Sequence, residues 1–131
     1  MITFAAVGLG HLVGDYLLQN VWMAKTKTQK TKAGLAAAII HCLLYTLAVG
    51  LICWNFTPLF IALVFASHYP IDRWSLGTKW LRLIRGRDIE EAYFSTSPTR
   101  DVDLSFAVLV YAVADNALHL LLLYIIVILV T

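Results

Sequence analysis

The sequence predicts an all-α, polytopic membrane protein: a four-transmembrane-helix bundle with a short amphipathic interfacial helix between helices 3 and 4. Three observations carry that prediction. Of 131 residues, 60% are hydrophobic and 14% charged, where a soluble domain has roughly 45–50% and about 25%. Apolar stretches occur four times, each near the length that a bilayer core requires. All ten Lys and Arg residues are confined to residues 25–32 and 73–100. The length suits one membrane domain covering residues 1–131.

The first span is expected at about residues 2–24. It contains Gly10 and Gly14, a GxxxG spacing that lets helix backbones approach closely in lipid, and Trp22 suits an interface. No positive residue precedes this apolar run, so it does not read as a signal peptide. A loop with Lys25, Lys27, Lys30 and Lys32 follows, and reads first as a topology determinant. The second span, about 34–54, carries His41, Tyr45, Cys42 and Cys53. A disulfide within one helix at that spacing is geometrically impossible, so the cysteines read as small buried hydrophobes. A charge-free turn at residues 55–58 leads to the third span, about 58–74. Here Pro70 lies between His68 and Asp72 and is expected to kink the helix.

The texture changes over about residues 75–95. Trp80, Leu81 and Ile84 alternate with Lys79, Arg82, Arg85 and Arg87, as in a helix lying on a membrane surface. Residues 95–99 break the chain before the fourth span, about 103–130, where Thr99, Asp101 or Asp103 suits a cap. At 1.5 Å per residue that span would be roughly 40 Å long and must tilt or protrude. The positive-inside rule puts both basic segments in the cytoplasm and both termini outside.

The chemistry lies in the polar residues of these spans. All four histidines fall in them, as do three of the six aspartates. Each of those aspartates is four residues from a histidine: His11/Asp15, His68/Asp72 and Asp115/His119. On a helix, residues i and i+4 lie one turn apart on one face. An aspartate at a span centre costs roughly 2.5–3.5 kcal/mol to insert. Interhelical hydrogen bonds return only about 0.6 kcal/mol each, which is too little for three carboxylates. A divalent cation would neutralise them. His11, Asp15, His41, His68, Asp72, Asp115 and His119 are the candidate ligands. Imidazole and carboxylate together suit zinc, with iron or manganese as alternatives. Seven ligands serve one ion with outer carboxylates orienting the histidines, or two ions.

At these residues the chain resembles the family of small bacterial and phage membrane proteins called domain of unknown function 3307. The pattern is His-Leu-x-x-Asp-x-x-Leu-Gln at His11, Leu12, Asp15, Leu18 and Gln19, then His41. It continues with His-x-x-Ile-Asp at His68, Ile71 and Asp72, followed by Lys79. It closes with Asp115-Asn116-x-x-His119, where Asn116 stands in place of a Gln. The resemblance covers nearly the whole chain and implies no established activity; the expected location is a bacterial inner (plasma) membrane. A looser likeness, in texture only, is to membrane-bound metal-dependent hydrolases of bacteria.

The expectation that follows is an intramembrane His/Asp metal site in the cytoplasmic half, serving a metal-dependent hydrolase of a lipid or lipid-linked substrate. Asp15, Asp72 and Asp115 would act as ligands or bases. Gln19, Tyr45, Tyr111 and Asn116 would contact substrate. Arg73, Lys79 and Arg82, near the headgroup plane, would hold an anionic lipid group. The alternatives are a divalent-cation or proton transporter or channel, and a metal-stabilised regulatory protein without catalysis. A channel would need a homodimer, and the apolar outer halves of spans two and four argue for a one-sided pocket instead. The bilayer is the expected partner, and no nucleic acid is.

Overall fold

The computed structural model describes residues 2–86 and 88–130, so Arg87 of the expected amphipathic segment lies outside the described residues. Among the described residues the chain forms helices and connecting turns, with no strand. Helix α1 spans Phe4–Leu12, α2 Val21–Thr26, α3 Lys32–Cys53, α4 Pro58–Arg73, α5 Leu76–Arg85, α6 Ile89–Phe94 and α7 Arg100–Val130.

The first apolar run is not one helix. α1 passes into a π-helical turn at Val13–Leu17, closed by a Leu18 amide to Val13 carbonyl bond of 3.1 Å. The chain then breaks, because Asn20 takes an extended conformation and caps α2 by accepting from the Met23 amide at 2.9 Å. Residues 21–26 therefore belong to a separate short helix that packs against α3. The second and third expected spans coincide with α3 and α4. Thr31 caps α3 by accepting from the Gly34 amide at 3.0 Å. Pro58 opens α4, where its missing N–H costs nothing. The helix continues through Pro70 to Arg73.

The interfacial segment is two helices, not one. α5 buries Gly77 and Leu81 and turns its arginines outward. Gly86, at φ 57°, ends it in the left-handed region that glycine adopts without strain. α6 follows, capped by Asp88. Both pack along α7. This explains the length of α7: its N-terminal turns run beside α6, its middle turns face α5, and it also packs against α1 and α4.

Among the described residues, two helices, α3 and α7, are long and apolar enough to cross a membrane. α4 has 16 residues, about 24 Å, and is shorter than a hydrocarbon core of about 30 Å. The distribution of polarity is inverted relative to a soluble protein. His11, His41, His68, Asp72 and His119 are buried, while Leu9, Leu43, Leu59, Val113, Leu121, Ile128 and Leu129 are each about half exposed or more. One end of the bundle is closed by an apolar core of Val7, Val49, Phe60, Val64, Leu123, Ile126 and Val127. The polar residues gather at the other end.

Candidate metal centre

Three helical segments deliver the central group. The π-helical turn presents Asp15, α3 presents His41, and α4 presents His68 and Asp72 one turn apart. Asp15, His41, His68 and Asp72 form a group that could hold a metal ion, with one ligand atom from each within 4.8 Å of the others. The contacts inside it are short. His41 Nε2 is 2.7 Å from Asp72 Oδ2 and 3.3 Å from Asp15 Oδ1. His68 Nε2 is 3.1 Å and 3.4 Å from the same two oxygens. The two imidazole nitrogens face each other at 3.0 Å. Ligands about 2.0–2.2 Å from a tetrahedral zinc lie roughly 3.3–3.6 Å apart; the Asp15 contacts match such edges, and the His41–Asp72, His41–His68 and His68–Asp72 contacts are shorter and would have to open to admit an ion.

The other oxygens of the two carboxylates point elsewhere. Asp15 Oδ2 is 3.4 Å from His11 Nδ1, and Asp72 Oδ1 is 3.8 Å from His119 Nε2. Each carboxylate therefore faces two ligand groups, as a bridging carboxylate does. His11, Asp15 and His119 form a second candidate group, and Asp72, Asp115 and His119 a third.

Neighbouring bonds set the ring orientations. His119 Nδ1 donates to the Asp115 carbonyl at 2.9 Å, which fixes the tautomer and leaves Nε2 with its lone pair toward the site. His119 Nε2 and Asp15 Oδ1 are both buried without a hydrogen-bond partner, an arrangement that costs stability unless something else engages them. His11 Nε2 lies 2.7 Å from the Asn116 side-chain oxygen, and its Nδ1 lies 3.1 Å from the Tyr45 hydroxyl. The Tyr45 ring stacks on His68 with centroids 3.6 Å apart. Tyr45 thus forms the floor of the site, between the imidazoles and the apolar core.

A polar cavity of about 290 Å³ opens over this group, lined by Asp15, Tyr16, Gln19, Ala24, Lys27, Asp72, Tyr111, Ala112, Asp115 and Asn116. Three carboxylates against one ammonium leave two uncompensated negative charges when the imidazoles are neutral. That balance matches a divalent cation.

The seven expected ligands converge on this one end of the bundle. Of the expected substrate contacts, Gln19, Tyr111 and Asn116 line the cavity. Tyr45 is 1% exposed and lies beneath it. The three cations sit elsewhere. Arg73 donates to the carbonyls of Lys27 and Gln29 at 2.8 and 2.9 Å, clamping the basic loop. Lys79 lies along α5, away from the cavity. Arg82 pairs with Asp88.

Sequence reasoning missed Lys27 and Tyr16. The Lys27 ammonium is 2.6 Å from Asp72 Oδ2, although the loop read as a topology signal. Asn20, a capping residue type just before residues 21–26, was the available sign that the chain turns back there. Tyr16 accepts from the Asn116 amide at 2.6 Å, a contact that no local pattern announces.

A family model matches residues 3–131 of the chain. No curated protein and no solved structure matches it.

Proposed function

The chain belongs to the family described as protein of unknown function (DUF3307), and from that footing we propose a four-pass bacterial inner-membrane metalloprotein that hydrolyses a lipid or lipid-linked substrate. The observation that carries the proposal is the group of Asp15, His41, His68 and Asp72, four ligand atoms at metal-site spacing beneath a polar cavity. The inverted polarity supports the membrane placement, since buried imidazoles and exposed leucines suit lipid and not water. Pairing of the helices lets the short α1 and α4 cross with their polar ends at the cytoplasmic interface. The positive-inside rule then puts both basic segments on the cytoplasmic side and both termini outside.

Zinc suits the mixed imidazole and carboxylate set, in one or two ions, with iron or manganese as the other fits. Such a cation, when bound, would polarise a phosphoryl or carbonyl oxygen and acidify a water. The chain's own groups supply the rest. Asp15 and Asp72 are ligands by position. Asp115 lines the cavity with its Oδ2 3.7 Å from His119 Nδ1, and it is the carboxylate placed to take a proton. Lys27 provides positive charge for an anionic group in the cavity. Tyr16, Gln19, Tyr111 and Asn116 offer hydrogen bonds there. The apolar core at the far end closes the bundle, which favours a one-sided pocket over a transport path.

The test is elemental mass spectrometry on detergent-purified protein, followed by hydrolysis assays on lipid phosphate and carboxylate esters with and without chelator. One or two equivalents of metal, and turnover lost on chelation and restored by zinc, is the expected result. Metal-free protein that stays folded after soaking in zinc would sink the proposal.

A second reading rests on the Lys27–Asp72 contact of 2.6 Å. There the ammonium itself is the counter-charge, and the network holds the helices in register. Lys27→Gln separates the two readings. With a metal site, loss of the competing cation tightens metal retention about tenfold. With a metal-free network, the same change strands Asp72 and lowers stability by about 3 kcal/mol. A chelator titration and a denaturation curve on one preparation read both outcomes.

A further inference from the structure

We propose that the face between the basic loop, α5 and α7 is a binding site for one anionic diacyl phospholipid, separate from the His/Asp centre. Two adjoining hollows form it. The first, of about 220 Å³, is lined by Thr28, Lys30, Arg73, Trp74, Ser75 and Lys79. It carries three cationic side chains and no carboxylate. The second, of about 350 Å³, is an apolar groove whose walls include Ile71, Leu76, Trp80, Leu118, Leu121 and Leu122. Lys79 lines both, so the hollows meet at its side chain.

This succession of polar cationic hollow, aromatic edge and apolar groove is the order of parts in a phospholipid. A headgroup phosphate fits the Lys30, Arg73 and Lys79 compartment, with the Ser75 and Thr28 hydroxyls as neutral donors. Trp74 and Trp80 lie where indoles sit at the level of the ester groups. An acyl chain fits the groove between α5 and α7. Charge complementarity selects an anionic headgroup, since no acid lines either hollow. Arg82, which would extend the cationic rim, is engaged by Asp88 and is not part of the site. The clamp from Arg73 to the carbonyls of Lys27 and Gln29 makes this site the outer face of the loop whose inner face carries Lys27 to the cavity. A lipid held here would brace that loop against α4.

This inference rests on the membrane placement proposed above and not on the metal. The experiment is native mass spectrometry of protein extracted from membranes, in micelles supplemented with dioleoyl-phosphatidylglycerol or dioleoyl-phosphatidylcholine. The expected result is one phosphatidylglycerol retained per chain in preference to phosphatidylcholine. Lys30→Gln/Lys79→Gln is expected to weaken phosphatidylglycerol about fivefold for each charge removed. Leu121→Trp, at a position 56% exposed and therefore tolerant of bulk, is expected to weaken both lipids about tenfold by filling the groove. Circular dichroism checks that the variants fold. Equal retention of the two lipids overturns the proposal. So does a charge effect with no groove effect, accompanied by competition from inorganic phosphate, because the hollow then binds a free anion. Protein that stays soluble without detergent would overturn the membrane placement itself.

Discussion

On the proposed metal-hydrolase reading, Asp72→Asn is expected to strip the site of metal and abolish hydrolysis. One oxygen of this carboxylate, Oδ2, lies 2.6 Å from Lys27, 2.7 Å from His41 and 3.1 Å from His68. The other faces His119 at 3.8 Å. An asparagine keeps the shape but removes the charge. It also turns an NH₂ either toward the Lys27 ammonium, which cannot accept from it, or toward the His119 Nε2 lone pair 3.8 Å away, which a bound metal would need. Changes to groups that merely orient ligands cost metal sites about 10–100-fold in affinity, so loss of a shared carboxylate should cost at least about 100-fold. Metal content below a tenth of the wild-type value, measured beside wild-type protein, is the outcome that supports the site. Asp115→Asn makes the contrast. If Asp115 takes a proton, that variant keeps its metal and loses turnover. Full metal retention in Asp72→Asn would remove Asp72 from the ligand set and with it the central group.

The second large effect is expected at Gly14, where α1 and its π-helical turn lie against α3. A Cβ at Gly14 would stand 2.5 Å from the Tyr45 ring and 3.1 Å from the Tyr45 Cα. The backbone itself is in the way, so a rotamer change cannot make room. Gly10 is similarly close, with the Val49 Cα 3.1 Å from a would-be Cβ. Overpacking a well-filled interface costs about 1–3 kcal/mol, and Gly14→Leu, with four added carbons, should reach the upper end. It should also disturb the candidate metal centre, because the displaced Tyr45 stacks on His68 and lies against His11. Gly8→Ala is the control, since nothing lies within 4 Å of its would-be Cβ. Equilibrium unfolding in mixed micelles, with metal content measured on the same samples, checks all three positions. A Gly14→Leu variant as stable as Gly8→Ala would mean that the helices do not meet where the structure puts them.

Much of the candidate site was legible in advance because its spacing is local. The i, i+4 pairing of His11 with Asp15, His68 with Asp72 and Asp115 with His119 follows from helical geometry alone. Three carboxylates among apolar residues call for a counter-charge whatever the fold. The GxxxG at Gly10 and Gly14 was likewise readable, although which residues they touch was not. Local pattern failed where a backbone choice depended on distant partners. Residues 2–24 read as one span because their hydropathy is continuous, yet the chain departs from helix at residues 18–20. There the Gln19 amide donates to the Asp15 carbonyl at 3.1 Å, and Asn20 starts a new helix. That departure brings Lys27 back to Asp72, a contact across 45 residues.

What the sequence alone determined is the helical class and the set of polar residues that gather. Composition pointed away from a typical soluble fold, charge segregation gathered the Lys and Arg residues into two segments, and helical periodicity paired six of the seven polar residues. The tertiary structure decided which of these atoms meet. It turned Asp15 and Asp72 into shared neighbours of two histidine groups and placed Tyr45 beneath them. It also moved Arg73 and Arg82 to structural partners and brought Lys27 and Tyr16 to the cavity. The physical reason is that periodicity assigns a residue to a face of its own helix. Distances between helices depend on where backbones approach closely and where the chain turns back, and those are set by packing over the whole bundle.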